Sequence, residues 1–384
     1  MTNETQNLVG GEGVERIAFN GAKEPHRVAI IQDWGVGRQP LYDQYDASRL
    51  AFEEATASGL LDRPVELKIV ELEAPPYMRA TTMERRLLEI VREFEPIALI
   101  GPHTTETLPP LKPTIEALGI STIVQTGSAA GAGPHIFATQ NGSFADEATI
   151  LVDWLADQGF TRIGILREDN PLGDEYGAYA RARARSRKVE VVADVSLPTF
   201  MTLENATAAM DELKTAGVQG YLYGGLGFSA SYVMKAALTA MANGWNPPRI
   251  LGSIYMGTIP NLGYGFTPEI FEGWAGVDQY DENNPVFMSL LDRFEKRFGR
   301  RPMHCYTAQG YDMANFVAHG LAIAKPMTRA GLRDALERVK RLPAAAGGPG
   351  TMMTAGPYDH RTYKGPFISL RRMHEGVNQL IKSV

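Results

Sequence analysis

The sequence is poor in the residue types that mark several functions. Its 384 residues hold a single cysteine, Cys305, so no intrachain disulfide can form and no cysteine cluster can hold a metal. The seven histidines are scattered, with no His-x-x-x-His pair, so a metal site is not expected. No apolar run approaches the roughly 20 residues of a membrane helix, and direct insertion is not expected. The formal net charge of −6 argues against nucleic acid as a partner. The one concentrated basic run, Arg181 to Lys188, ends a predicted helix, where cations suit the dipole. Nucleophile and nucleotide signatures are also missing. Gly127-Ser-Ala-Ala-Gly131 lacks the elbow spacing, and Gly224-Gly-Leu-Gly-Phe-Ser lacks the third glycine and the acid of a dinucleotide fingerprint. An enzyme is therefore not expected, nor a cofactor. Residues 1–26 read as a polar flexible arm without the basic and apolar segments of an export signal. The expectation is a cytoplasmic location as the sequence is written, with a periplasmic or cell-surface one if the native start is different.

What is present is a regular alternation of strand and helix signals. Val28–Ile31 reads as a buried strand, and Tyr42–Ser58 as an amphipathic helix closed by Gly59. Val65–Glu71 alternates as a strand, and Thr81–Phe94 puts Met83, Leu87, Leu88 and Val91 on one helical stripe. Ile97–Ile100 and Ser121–Val124 are strands around a helix at 106–118. The same order repeats after a seam near 140–146, with strands at 162–166, 189–195, 220–223 and 249–251 between helices. The pattern predicts an α/β protein with two parallel sheets, each covered by helices on both faces. Beyond a short strand at Trp274–Val277, helices occupy 284–298, 307–324 and 329–340, and the end reads as strands with turns.

Two strand ends carry hydroxyl-rich turns. Ile100-Gly-Pro-His103-Thr-Thr105 leads into a helix, and Gln125-Thr126-Gly127-Ser128 ends the next strand. Unpaired amides and the dipole at a helix start favour negative charge, so the pair predicts a site for a small polar ligand. Thr105 has a second reading as a helix cap.

The order of elements and these turns resemble the type I periplasmic binding proteins, in the leucine/isoleucine/valine-binding branch that serves branched-chain amino acid ABC transporters. Phe137-Ala-Thr-Gln-Asn-Gly-Ser143 stands where the family writes Phe-Arg-Thr ending in Asp. Tyr306-Thr-Ala-Gln-Gly-Tyr-Asp312 matches its Tyr-Asp-Ala helix, and Gly356-Pro-Tyr-Asp359 with Lys364-Gly365 its closing hairpin. The resemblance implies two Rossmann-like lobes joined by three hinge crossovers and closing like a clamshell. Lobe one would be 27–141 plus 275–345, and lobe two 142–274 plus 346–384.

The resemblance places Thr105 and Ser128 at a ligand carboxylate, helped by backbone near Thr126 and Gly127. His103 and Gln125, in the same turns, are further candidates. The family's first acid for a ligand ammonium falls on Ser143, its second falls in the acid-free Gly252-Ser-Ile-Tyr255, and its aromatic falls on Leu172. Asp146 and Asp278 are the substitutes if the alignment shifts. Trp34, Leu226, Phe228, Tyr255 and Tyr280 complete the expected lining, with core packing as the other reading of Trp34. The implied function is a non-catalytic solute-binding protein for a small carboxylate- or amide-bearing ligand, not a standard α-amino acid. It would feed an ABC permease; the alternative is a cytoplasmic sensor of the same fold acting on a regulator protein.

Overall fold

The computed structural model describes residues 13–19, 23–33, 38–73, 78–139, 143–225, 230–252, 256 and 266–384, with the backbone alone for 38–41. The first sheet contains β1 (Val14–Arg16), β2 (His26–Gln32), β3 (Val65–Glu71), β4 (Ala98–Ile100), β5 (Ser121–Val124) and β6 (Ile136–Ala138), in the order β1-β3-β2-β4-β5-β6. All pairs are parallel except β1 with β3. Parallel strands buried on both faces need apolar side chains at every position, which explains the unbroken Val28–Ile31 run. Ala29, Ile31 and Leu99 face α2 (Ala80–Phe94), meeting Met83, Leu87 and Ile90. Val28, Ile30, Ala98 and Ile100 face the opposite layer, where α1 (Arg38–Ala57) contributes Phe52. Helix α3 (Leu108–Leu118) follows β4.

The second sheet is built after α4 (Phe144–Asp157). Strands β7 (Arg162–Glu168), β8 (Glu190–Leu197), β9 (Gly220–Gly224), β10 (Arg249–Gly252) and β11 (Trp274–Asp278) alternate with α5 (Pro171–Ser186), α6 (Leu203–Thr215) and α7 (Ala230–Ala242). The chain then returns to the first lobe as α8 (Pro285–Phe298), α9 (Cys305–Ile323) and α10 (Arg329–Leu336). Short strands β12 (Leu342–Pro343), β13 (Met352–Met353) and β14 (Tyr363–Lys364) form a small sheet of their own. The hairpin β15 (Ser369–His374) and β16 (Val377–Ser383) completes the second sheet, in the order β16-β15-β11-β10-β9-β7-β8.

Three expectations change. Trp274–Asp278 pairs with β10 and β15, so the chain leaves the second sheet after Asp278 rather than at 275. The stretch 1–26 is not all arm. Val14–Arg16 is an edge strand, and the Glu15 carboxylate accepts the Tyr45 hydroxyl at 2.6 Å and pairs with Arg49. Strand β6 was not foreseen, being three residues among turn formers. The basic run behaves as expected: Arg183 and Arg187 pair with Asp153 on α4, and Arg181 with Asp194 on β8. Among the described residues no helix is long and apolar enough to cross a membrane.

Helices α1 and α9 lie against each other so closely that a methyl group at Gly310 would sit 2.2 Å from the Gln44 carbonyl oxygen. Ser48 Oγ donates to the Gly310 carbonyl at 2.8 Å across the same contact. Backbone cannot yield as a flexible side chain can. Gly310→Ala is therefore expected to cost about 1–3 kcal/mol or more, read as a lower urea midpoint with an unchanged slope.

Candidate functional site

The crossovers between the sheets lie side by side. The Ala138 amide, at the end of β6, donates to the His360 carbonyl at 2.9 Å, and the Thr362 amide donates to the Ala138 carbonyl at 2.8 Å. After β11, Tyr280 forms a parallel bridge with Gly347, whose amide donates to the Gln279 carbonyl at 2.8 Å. Two lobe-one side chains clamp the third crossing. Asp312 on α9 accepts the amides of Ala345 (2.8 Å) and Ala346 (2.9 Å) and the Tyr363 hydroxyl (2.9 Å). Asn284, the cap of α8, donates from Nδ2 to the carbonyls of Ala344, Ala345 and Gly347 at 3.0–3.2 Å. Burial outweighs the three donors and pushes the Asp312 carboxyl up to about 7.

The same ends of the two sheets, beyond the strand C-termini, face the cleft, the usual place for ligands on open α/β sheets. In lobe one, Gly101 turns the chain back against β2. Its φ is +87°, and a Cβ there would lie 2.3 Å from the Ile31 carbonyl oxygen, so glycine is required twice over. The turn thereby reaches Asp33, fully buried at the end of β2. The Asp33 carboxylate accepts the His103 amide (2.7 Å), the Thr104 amide (3.0 Å) and the Thr104 hydroxyl (2.7 Å). The donors of the turn ahead of α3 are thus taken by the protein's own carboxylate.

The second turn is filled too. Ser128 Oγ donates to Glu175 Oε2 at 2.5 Å, and the Ala129 amide donates to Glu175 Oε1 at 2.9 Å. Glu175 lies on α5, in the other lobe. The hydroxyls of Thr105 and Thr126 are 3.2 Å apart, and the Ser128 amide donates to Thr126 Oγ1 at 3.3 Å, so the two turns foreseen from the sequence do meet. Gly127 is buried, and its carbonyl accepts the Phe144 amide at the start of α4.

Acids also mark the far wall. Glu168, at the end of β7, is 2% exposed and accepts the Tyr223 hydroxyl (2.9 Å) and Asn170 Nδ2 (2.8 Å). Glu106, on the α3 side, keeps solvent access. Withdrawal from bulk water, then the charges of Glu168 and Asp33, push its carboxyl above the ordinary range. Acids were expected at Ser143 or in 252–257, with Asp146 and Asp278 as substitutes, and Glu168 was not foreseen. The available signal was Glu168-Asp-Asn170 between a strand and a helix start.

Other expected contacts take structural places. Gln125 is fully buried, and its side chain joins Gln44 (2.7 Å) and Gln309, which in turn meets Gln279; it ties core to crossover instead of facing solute. Leu172 packs in the second-lobe core. Tyr280 is 4% exposed, lies under the Arg371 guanidinium at 4.3 Å and packs on Phe287, so it is hinge core and not a pocket wall. Ser143 caps α4, accepting the Asp146 amide at 3.3 Å. His103 is buried with no hydrogen-bond partner on either ring nitrogen among the described residues, and burial lowers its pKa below the ordinary range, which favours the neutral ring. The Asp146 side chain is exposed, and buried Asp278 accepts the Gln279 amide at 2.7 Å. Trp34, Leu226, Phe228 and Tyr255 lie outside the described residues.

Two α/β lobes, three paired crossovers and a cleft at the strand ends define a clamshell binding protein. A family model described as periplasmic binding protein matches residues 36–366, and the chain belongs to that family. A search of curated proteins returned no match. Solved structures agree on the fold. A type 1 periplasmic binding protein from Bordetella pertussis Tohama I has a TM-score of 0.76 at 18% identity, covering 94% of this chain and 100% of that one. An ABC transporter substrate-binding protein from Desulfitobacterium hafniense in complex with Leu gives 0.73 at 18%, covering 93% and 100%. The branched-chain amino acid transporter substrate-binding protein of Streptococcus pneumoniae in complex with isoleucine gives 0.73 at 15%, covering 94% and 100%.

The raised Asp312 carboxyl makes the clamp pH-dependent. A folded-state pKa above the unfolded one means that the folded state holds its proton more tightly. This group's contribution is therefore full below about pH 4 and is lost as pH rises through about 7. The drop in melting temperature between pH 5 and pH 8 should be smaller in Asp312→Asn than in the natural chain; an equal drop would assign it to other groups.

Proposed function

We propose that this chain is the solute-capturing component of an ABC importer: a non-catalytic protein whose lobes close on a small organic molecule for delivery to a permease. The family, the cleft at the strand ends and the three crossovers support this reading. In that role the protein works outside the cytoplasmic membrane.

The observation that carries the ligand class is the filling of both hydroxyl turns by internal carboxylates, Asp33 and Glu175. The expectation of a ligand carboxylate at Ser128 is therefore given up. A second carboxylate beside Glu175 would meet like charge where the donors are already used. The ligand is amide-bearing or otherwise uncharged at the turn end, and is not a standard α-amino acid. Leucine and isoleucine complexes among the structural neighbours come from proteins only 15–18% identical, so likeness of fold leaves the solute open.

A thermal-shift screen tests this, because a ligand that binds only the folded state raises the melting temperature. Short aliphatic or aromatic amides are expected to raise it by several degrees, and leucine, isoleucine and valine to leave it within error. A large leucine shift with none from amides would overturn the ligand class. Recovery of the native protein only from the cytoplasm would overturn the importer role in favour of a ligand sensor.

A further inference from the structure

Glu175 lies in the second turn of α5, five residues after the cap Asn170, and reaches out of the second lobe. Its two carboxylate oxygens each take one donor from the first lobe: the Ser128 hydroxyl at 2.5 Å and the Ala129 amide at 2.9 Å. Burial, then the charge of Glu175, raise the hydroxyl of Tyr179, one turn further along α5, above its ordinary range. Ser128 is itself fixed by the Ala130 amide, which donates to its Oγ at 3.1 Å. A carboxylate held by a hydroxyl and a backbone amide at short distances is the arrangement that would hold the carboxylate of a small bound acid. Here the acid is covalently part of the opposite lobe.

We infer that Glu175 is a built-in surrogate for a ligand carboxylate: seated on Ser128 and Ala129, it ties the two lobes together and excludes free carboxylates from that end of the cleft. The inference rests on the solute-binding reading above and supplies its selectivity. A tethered group has an effective concentration on the order of millimolar or higher, so a free acid must compete with a partner that never diffuses away. Only a carboxylate arriving at high concentration, or with large additional contacts, would displace it. A neutral solute can enter without breaking the link.

The test begins without any solute. Small-angle X-ray scattering of the ligand-free protein should give a larger radius of gyration for Glu175→Ala than for the natural chain. Ser128→Ala, which removes the partner from the other side, should show an expansion of the same sign. Circular dichroism on both variants establishes that the helices are intact. Calorimetry with leucine and with isovalerate then reads the second consequence. Glu175→Ala should bind at least one of them on the order of tenfold or more tighter than the natural chain, the gain expected when one charge-assisted partner becomes vacant. Glu175→Ala combined with Ser128→Ala should lose that gain. Unchanged scattering for both single variants, or carboxylate affinity unaffected by Glu175→Ala, overturns the inference. The two readings fail separately. Expansion and gained carboxylate binding in the variant, with no amide binding by the natural chain, would remove the proposed ligand and keep the surrogate. Amide binding by the natural chain with unchanged scattering in the variants would do the reverse.

Discussion

Three crossing strands carry all covalent communication between the lobes, and their buried backbone must be satisfied without a full sheet around it. Asp312 and Asn284 meet that demand. One offers a buried carboxylate to two consecutive amides, the other an amide group to three carbonyls of the same turn. An unpaired buried peptide group costs on the order of 1–3 kcal/mol, so these two side chains decide where the third crossing can run. The chain Gln44–Gln125–Gln309–Gln279 extends the arrangement into the lobe-one core, using amides that donate and accept at once. The crossings become a strip with fixed neighbours on one side, and a motion of the lobes has to be absorbed at its ends.

Much of the fold could be read from periodicity because parallel strands covered on both sides admit few polar residues. Val28–Ile31 declared itself in this way, while Val65–Glu71 showed in its alternation and α2 in its apolar stripe. Short elements did not. Val14–Arg16 earns its place through Glu15, Tyr45 and Arg49, partners more than 25 residues away, and nothing local marks it as strand. Trp274–Asp278 was recognised as a strand but assigned to the wrong lobe, since pairing with β10 and β15 is a property of the sheet and not of the segment.

The site was legible to a different depth. The two hydroxyl turns were visible because glycine, proline and threonine cluster there, and they do come together through Thr105 and Thr126. What fills them was invisible, because Asp33 stands 70 residues from the His103 amide it holds, and Glu175 stands 47 residues from Ser128. Gln125 and Tyr280 sat beside cleft-forming strands, yet point into buried networks. Their neighbours along the chain give no hint of which face of a strand end is wet.

Filling an anion site from within has opposite effects on rigidity and on recognition. Asp33 gives the turn at 101–104 its shape before any solute arrives, so those amides no longer need a ligand to satisfy them. The same occupancy removes the energy that a bound anion would have contributed by seating itself there. Closure must therefore draw on contacts elsewhere in the cleft, where burial and the charges of Glu168 and Asp33 raise the Glu106 carboxyl above the ordinary range. On the reading proposed above, Asp33 and Glu175, the acids that give the turns their shape, are the same ones that turn a free carboxylate away.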